Sequence, residues 1–167
     1  MRHIISVLLQ NEAGALSRVT NLFSTRGFNI ESLNVAPTAD ETVSRLTVVS
    51  TGSDAVIDQI SKHLSKLVDV VKIVDMTGTD HIERELALFK LRLPKGGPEE
   101  ERLASVVEAF GGRVLDDSGG HFTVELTSGG SEIDRFLEEV ADLAEMETLT
   151  RSGAMAVTKG APISPTN

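Results

Sequence analysis

Two asparagines and a glycine are the residues of this 167-residue chain whose types and spacing point first to chemistry. The stretch Asn11-Glu12-Ala13-Gly14-Ala15-Leu16 follows an apolar, β-branched run over residues 3–9 that reads as a buried central strand. After it, Leu16, Val19, Leu22 and Phe23 recur at helical spacing, and Gly27 stands where a helix stop is wanted. The stretch is therefore a strand-to-helix turn, with Gly14 expected in the first helical turn, where backbone N–H groups lack intrahelical partners. Glycine lowers helix propensity there, so its presence points to close approach of another group to the backbone. Bare N–H groups at the positive end of a helix dipole favour a carboxylate. Asn11 opens this turn, and Asn29 stands at the start of the next strand. A plainer reading stands beside this one: Asn11 is an N-cap, Glu12 an ordinary first-turn acid, and Asn29 a strand-edge residue after a turn.

No catalytic constellation accompanies these residues. The chain has no G-x-S-x-G elbow, no H-E-x-x-H, no P-loop and no G-x-G-x-x-G after a strand. His3, His63, His81 and His121 are scattered without ligand spacing, and His63, near a helix stripe, reads as a partly buried structural histidine. Asp116-Asp117 before Ser118-Gly119-Gly120 is turn chemistry, and the acids at 99–101 are a solvated helix start. A small acylphosphatase-like enzyme would need an arginine in the first strand–helix loop to hold phosphate. That loop, 10–15, contains Glu12 and no arginine, which favours a zwitterionic or neutral ligand.

Composition narrows the class further. Without cysteine there is no disulfide frame, thiolate ligand or cysteine nucleophile, which fits a reducing cytoplasm. No apolar run approaches the roughly 20 residues of a membrane span, and the first residues lack the form of a signal peptide. The formal charge of −9 is uneven: residues 1–76 carry seven Lys/Arg against eight Asp/Glu, residues 77–167 nine against seventeen. An acidic chain with few aromatics and no basic stripe is a poor nucleic-acid binder.

The elements that must position the loop fall into two similar halves. The first reads strand, helix, strand, strand, helix, strand. Its third strand, 42–50, puts Leu46 and Val48 on one face and Arg45, Thr47 and Val49 on the other. Ser53 or Asp54 caps a second helix striped by Val56, Ile57, Ile60, Leu64 and Leu67. Residues 77–82 form the linker. The second half repeats the order: a strand over 85–93, a helix opened by Pro98 and striped by Leu103, Val106, Val107 and Phe110, and a hairpin around Gly119-Gly120. Ser131 is expected to cap the next helix, a last strand lies within 147–157, and 159–167 is a flexible tail. Two β-α-β-β-α-β units in tandem mean an α+β protein of two ferredoxin-like domains, each an antiparallel sheet with both helices on one face. The other face of the first sheet, carrying Val49, must be solvated, packed on a neighbouring domain or used by a partner.

The string Asn11-Glu12-x-Gly14-Ala15-Leu16-Ser17-Arg18, then Arg26-Gly27-Phe28-Asn29-Ile30-Glu31-Ser32-Leu33, then Val35-Ala36-Pro37-Thr38, resembles the small, regulatory subunit family of acetolactate synthase (acetohydroxyacid synthase). These segments look like the ACT domain of that family. The likeness continues through Ser44-Arg45, Lys66-Leu67-Val68-Asp69-Val70, Glu83-Arg84-Glu85 and Arg151-Ser152-Gly153, with order and spacing kept.

The resemblance implies an amino-acid-binding, dimerising ACT domain over 1–76 and a second ferredoxin-like domain over 83–158. It implies a non-catalytic, cytoplasmic subunit that binds valine, gives feedback inhibition of branched-chain amino acid biosynthesis, and activates a large catalytic subunit. Thiamine diphosphate, Mg²⁺ and FAD belong to that partner; no cofactor is expected in this chain, and neither nucleic acid nor membrane is a partner. The implied ligand set is Asn11, Ala13, Gly14, Ala15, Leu16, Asn29 and Ile30, at an interface where Asn29 comes from the other chain of a homodimer. Many ACT domains carry an acid and a proline where this chain has Asn11 and Ala13, and the regulatory-subunit pattern itself carries the asparagine. The alternative is a free-standing two-domain ACT amino-acid sensor that regulates another enzyme or transcription.

Overall fold

A computed structural model describes residues 1–160. The described chain divides into two compact units, residues 1–82 with 154–160, and residues 83–153.

The first unit holds β1 (Arg2–Gln10), α1 (Ala15–Thr25), β2 (Ile30–Pro37), β3 (Val43–Thr51), α2 (Asp54–Leu64) and β4 (Val70–Asp75). Its sheet has the order β2-β3-β1-β4, with every pairing antiparallel. The period of two on the strands meets the period near four on the helices. Ile5, Val7 and Leu9 of β1 and Leu46 and Val48 of β3 pack under Val19 and Phe23 of α1 and Ile57, Ile60 and Leu64 of α2. Helix α1 stops in a Schellman motif: Phe28 N–H donates to the Phe23 carbonyl at 3.0 Å and Gly27 N–H to the Ser24 carbonyl at 3.3 Å. Gly27 sits at φ +70°, and the Phe23 and Phe28 rings meet edge-on at 6.2 Å across the stop. The β2–β3 hairpin closes on Asp40, whose Oδ1 accepts from Thr42 N–H at 2.9 Å and Thr42 Oγ1 at 2.6 Å. Those two bonds hold the Asp40 carboxyl below its ordinary range.

The opposite face of this sheet is partly covered by the chain itself. β9 (Met155–Thr158) returns to the first unit, where Ala154 and Ala156 bury against Ile4, Val49 and Met76. Lys159 N–H donates to the Asp80 carbonyl at 2.9 Å. Residues 154–158, expected in the second domain, thus pair with β5 (His81–Arg92) through β9 while their side chains pack on residues of the first unit. The reason is physical: Val49 and Ile4 are a large apolar area on a sheet whose helices lie on the other side. The linker expected over 77–82 is also shorter, because β5 already starts at His81.

The second unit repeats the topology with β5, α3 (Pro98–Ala109), β6 (Arg113–Asp116), β7 (His121–Ser128), α4 (Gly130–Ala141) and β8 (Glu145–Arg151), in the order β6-β7-β5-β8, and β9 pairs with β5 as a fifth strand. Its core centres on Phe136, whose ring lies 4.7 Å from Phe89 and 5.5 Å from Phe110. Helix α4 is capped by Gly129 in extended geometry, not by Ser131, which lies inside the first turn. The expected last strand is two strands, β8 and β9, broken at Gly153 with φ +77°. The Glu83-Arg84-Glu85 and Arg151-Ser152-Gly153 motifs meet here. Glu85, buried, accepts from Arg151 Nε at 2.9 Å, from Arg151 Nη2 at 2.8 Å and from Gly153 N–H at 3.2 Å. Of the expected tail, 159–167, residues 161–167 lie outside the described residues.

Candidate functional site

The loop between β1 and α1 is pinned from below. Gln10 N–H donates to the Asp69 carbonyl at 2.8 Å, and Asn11 N–H to the Thr42 carbonyl at 2.7 Å. Asn11 Nδ2 donates to the Glu41 carbonyl at 3.1 Å, which leaves Oδ1 as the remaining acceptor of that side chain. Asn11 is therefore no helix cap. The N-cap of α1 is Gly14, in left-handed conformation at φ +86°. Gly14 was expected inside the first turn with a ligand against its backbone; its backbone conformation alone already calls for glycine. A Cβ there would also stand 3.0 Å from Arg18 Nη1.

Of the N–H groups expected to be open around Gly14, Ala15 and Leu16, that of Ala15 is taken by the Glu12 carbonyl at 3.1 Å. Arg18 N–H goes to the Gly14 carbonyl at 3.0 Å, so Leu16 and Ser17 keep the open donors of the first turn. No acidic residue lies in that turn, and its positive end is uncompensated by the helix's own side chains. Ala13 and Gly14 are exposed, Ala15 is buried, and Leu16 is 37% exposed beside the loop.

Arg18 and Asp69 were not expected in the site, yet they brace it. Arg18 Nε and Nη2 meet Asp69 Oδ2 and Oδ1 at 2.5 and 2.8 Å, tying α1 to the residue just before β4. The Arg18 hydrogen bond holds the Asp69 carboxyl below its ordinary range against the opposing effect of burial. The signal in the sequence was a lone acid between Val68 and Val70.

Asn29 and Ile30 lie elsewhere. Asn29 is exposed, and its carbonyl accepts from Ser50 Oγ at 2.6 Å. Ile30 is half-buried against the first core and pairs with Ser50. Ser50 is level with His3, whereas Val43 is level with Gln10. The two asparagines thus stand at opposite ends of the sheet, seven residues of strand apart, about 23 Å at about 3.3 Å per residue. Within one chain the structure does not bring Asn11 and Asn29 together.

Residues 5–72 match the family described as "AHAS small subunit-like ACT domain", and residues 84–160 match "Small subunit of acetolactate synthase". The chain belongs to the acetolactate synthase small-subunit family. Among its relatives is the acetolactate synthase isozyme 3 small subunit of Escherichia coli (strain K12), 43% identical over 160 residues, covering 96% of this chain and 97% of that one. The acetolactate synthase small subunit of Haemophilus influenzae is 42% identical with the same coverage. The crystal structure of the acetolactate synthase small subunit from Thermotoga maritima superposes with a TM-score of 0.84 at 33% identity, over 96% of this chain and 99% of that chain. Both halves of this acetolactate synthase small-subunit chain are therefore accounted for, the first as an ACT domain within an α+β protein of two ferredoxin-like repeats. Among the described residues, no group of His, Cys, Asp and Glu is placed to hold a metal, and no helix is long and apolar enough to cross a membrane.

Proposed function

We propose that this chain is a non-catalytic regulatory subunit whose amino-acid site is completed by a second copy of itself. The observation that carries the reading is the separation of Asn11 from Asn29 along β1 and β3. β2 is an edge strand. Its Pro37 end pairs with Ser44, level with Leu9 and so close to Asn11, while its Ile30 end lies with Asn29. Antiparallel pairing of two β2 edges about a twofold axis places Asn29 of each protomer at the Asn11 end of its partner, giving two equivalent sites. The Leu16 and Ser17 N–H groups take the carboxylate, Asn11 Oδ1 and the second copy's asparagine take the ammonium, and Leu16 with the second copy's isoleucine faces the apolar side chain.

The ligand is valine, by the family to which the chain belongs, and the subunit acts in the cytoplasm within branched-chain amino acid biosynthesis. The relatives' designation as small subunits of acetolactate synthase supports a large catalytic partner. Thiamine diphosphate, Mg²⁺ and FAD sit on that partner. Mixing tests the reading. The chain alone is expected to have no acetolactate synthase activity, to raise that of its catalytic partner, and to make it sensitive to valine. Unchanged rate and unchanged inhibition on mixing, with binding of the two subunits demonstrated, sinks it.

A further inference from the structure

The face of the first sheet that turns away from α1 and α2 carries a second feature, apart from the Asn11 loop. Beyond the patch that Ala154 and Ala156 cover, the first unit holds a cavity of about 710 Å³, lined by residues of β1, β3, β4 and the returning chain. That volume lies in the range of small-molecule sites, roughly 300–1,000 Å³. Much of the wall is apolar, with Leu8, Val74 and Val157 among the lining side chains. Among the described residues of the lining, the two charged ones, Arg45 and Lys72, are both basic and none is Asp or Glu, in a chain whose net charge is −9.

Arg45 is held in place by a neutral partner. Its Nη1 donates to Ser6 Oγ at 2.8 Å, and Ser6 is only 2% exposed. No carboxylate pairs with Arg45 among the described residues. One guanidinium edge is thus fixed on the sheet, while the planar fork retains N–H donors suited to a two-pronged carboxylate. A guanidinium fixed without a counter-ion beside apolar walls selects a molecule with one anionic head and an apolar body.

We propose that this cavity binds a small amphipathic carboxylate, with its head on Arg45 and its body against Leu8, Val74 and Val157. The site is independent of the Asn11 loop and goes beyond the valine reading.

Octanoate and octanol, which share a body and differ in the charged head, test it by titration calorimetry on the full-length chain. Octanoate is expected to bind one per chain and octanol at least about tenfold more weakly, since the ionic fork is lost. Arg45→Gln should weaken octanoate by about tenfold or more and leave octanol unchanged. Val157→Asp, at a position 56% exposed and so harmless to the fold, should abolish octanoate binding by placing a carboxylate at the wall. Asn11→Ala should leave octanoate affinity as it was, which separates this site from the valine site. Equal binding of acid and alcohol, octanoate affinity untouched by both variants, or loss in Asn11→Ala would each overturn the proposal. No binding to the chain at millimolar octanoate would also overturn it, and would instead favour an acidic side chain of a protein partner as the occupant of this face.

Discussion

Asp69 shows how a single residue can set the β1–α1 loop. It is 5% exposed and charged, a combination that persists only with a partner, and Arg18 supplies two hydrogen bonds to it. Because the Arg18 bond lowers the Asp69 pKa in the folded chain, the unfolded chain takes up the proton first as acid is added. The pair's contribution is therefore complete above the unfolded value, about 3.9, and is lost as pH falls through the lower folded value. Thermal melts should show Asp69→Asn below the wild type at neutral pH, with the gap narrowing in acid below about pH 4. His63, whose pKa burial pushes down with help from Arg26 and Lys66, contributes equally to both proteins and cancels. Parallel melting curves across that range would remove Asp69 from the account. Gly14 teaches a different lesson at this scale. The sequence marks it as special, but the backbone angle of +86° that requires glycine is set by the turn's closure on Glu12, which composition and spacing do not reveal. A Gly14→Asp variant would therefore be strained in any case, by roughly 1–2 kcal/mol, and cannot by itself separate a ligand loop from a cap.

At the scale of elements, periodicity carries most of the fold. The alternation of β3 placed Leu46 and Val48 in the core and Val49 opposite, and each lies there. The end of α1 was equally legible, since Gly27 followed by an aromatic fits one stop geometry. Gly27→Ala keeps the Phe28 contact but forces a side chain into the left-handed region, with nothing nearby to clash. Its expected cost is about 1–2 kcal/mol from the backbone alone, read as an unfolding midpoint shift in urea at unchanged slope. A shift in slope would instead mean that the stop also shapes the denatured state. Two elements escaped. Ser131 fits the hydroxyl preference of N-caps, yet Gly129 already has the extended backbone a cap needs, at φ −69° and ψ 154°. The closing strand of the second half reads as one, because a β-α-β-β-α-β repeat needs one, whereas Gly153 at φ +77° splits it into β8 and β9, both paired with β5.

For the whole molecule, the question is whether one chain or two make the amino-acid site, and the answer can be read without seeing the dimer. Take Asn11→Ala and Asn29→Ala as separate proteins, each expected to bind valine weakly because every site in either homodimer lacks one asparagine. In a mixed dimer the two defects segregate if each site uses Asn11 of one protomer and Asn29 of the other. One site then carries both substitutions, and the other carries none. An equimolar mixture allowed to exchange subunits should therefore regain about a quarter of the wild-type sites at full affinity, half the sites of the half of dimers that are mixed. Calorimetry with valine reads this directly as a stoichiometry, and exchange is checked by mass after tagging one variant. If instead both asparagines of a site came from one chain, every site in the mixture would still carry a defect and no tight binding would return. Because the sheet register separates the two residues by about 23 Å within a chain, we expect the quarter and not the zero. A zero with exchange demonstrated would remove Asn29, and with it the β2-paired dimer, from the amino-acid site.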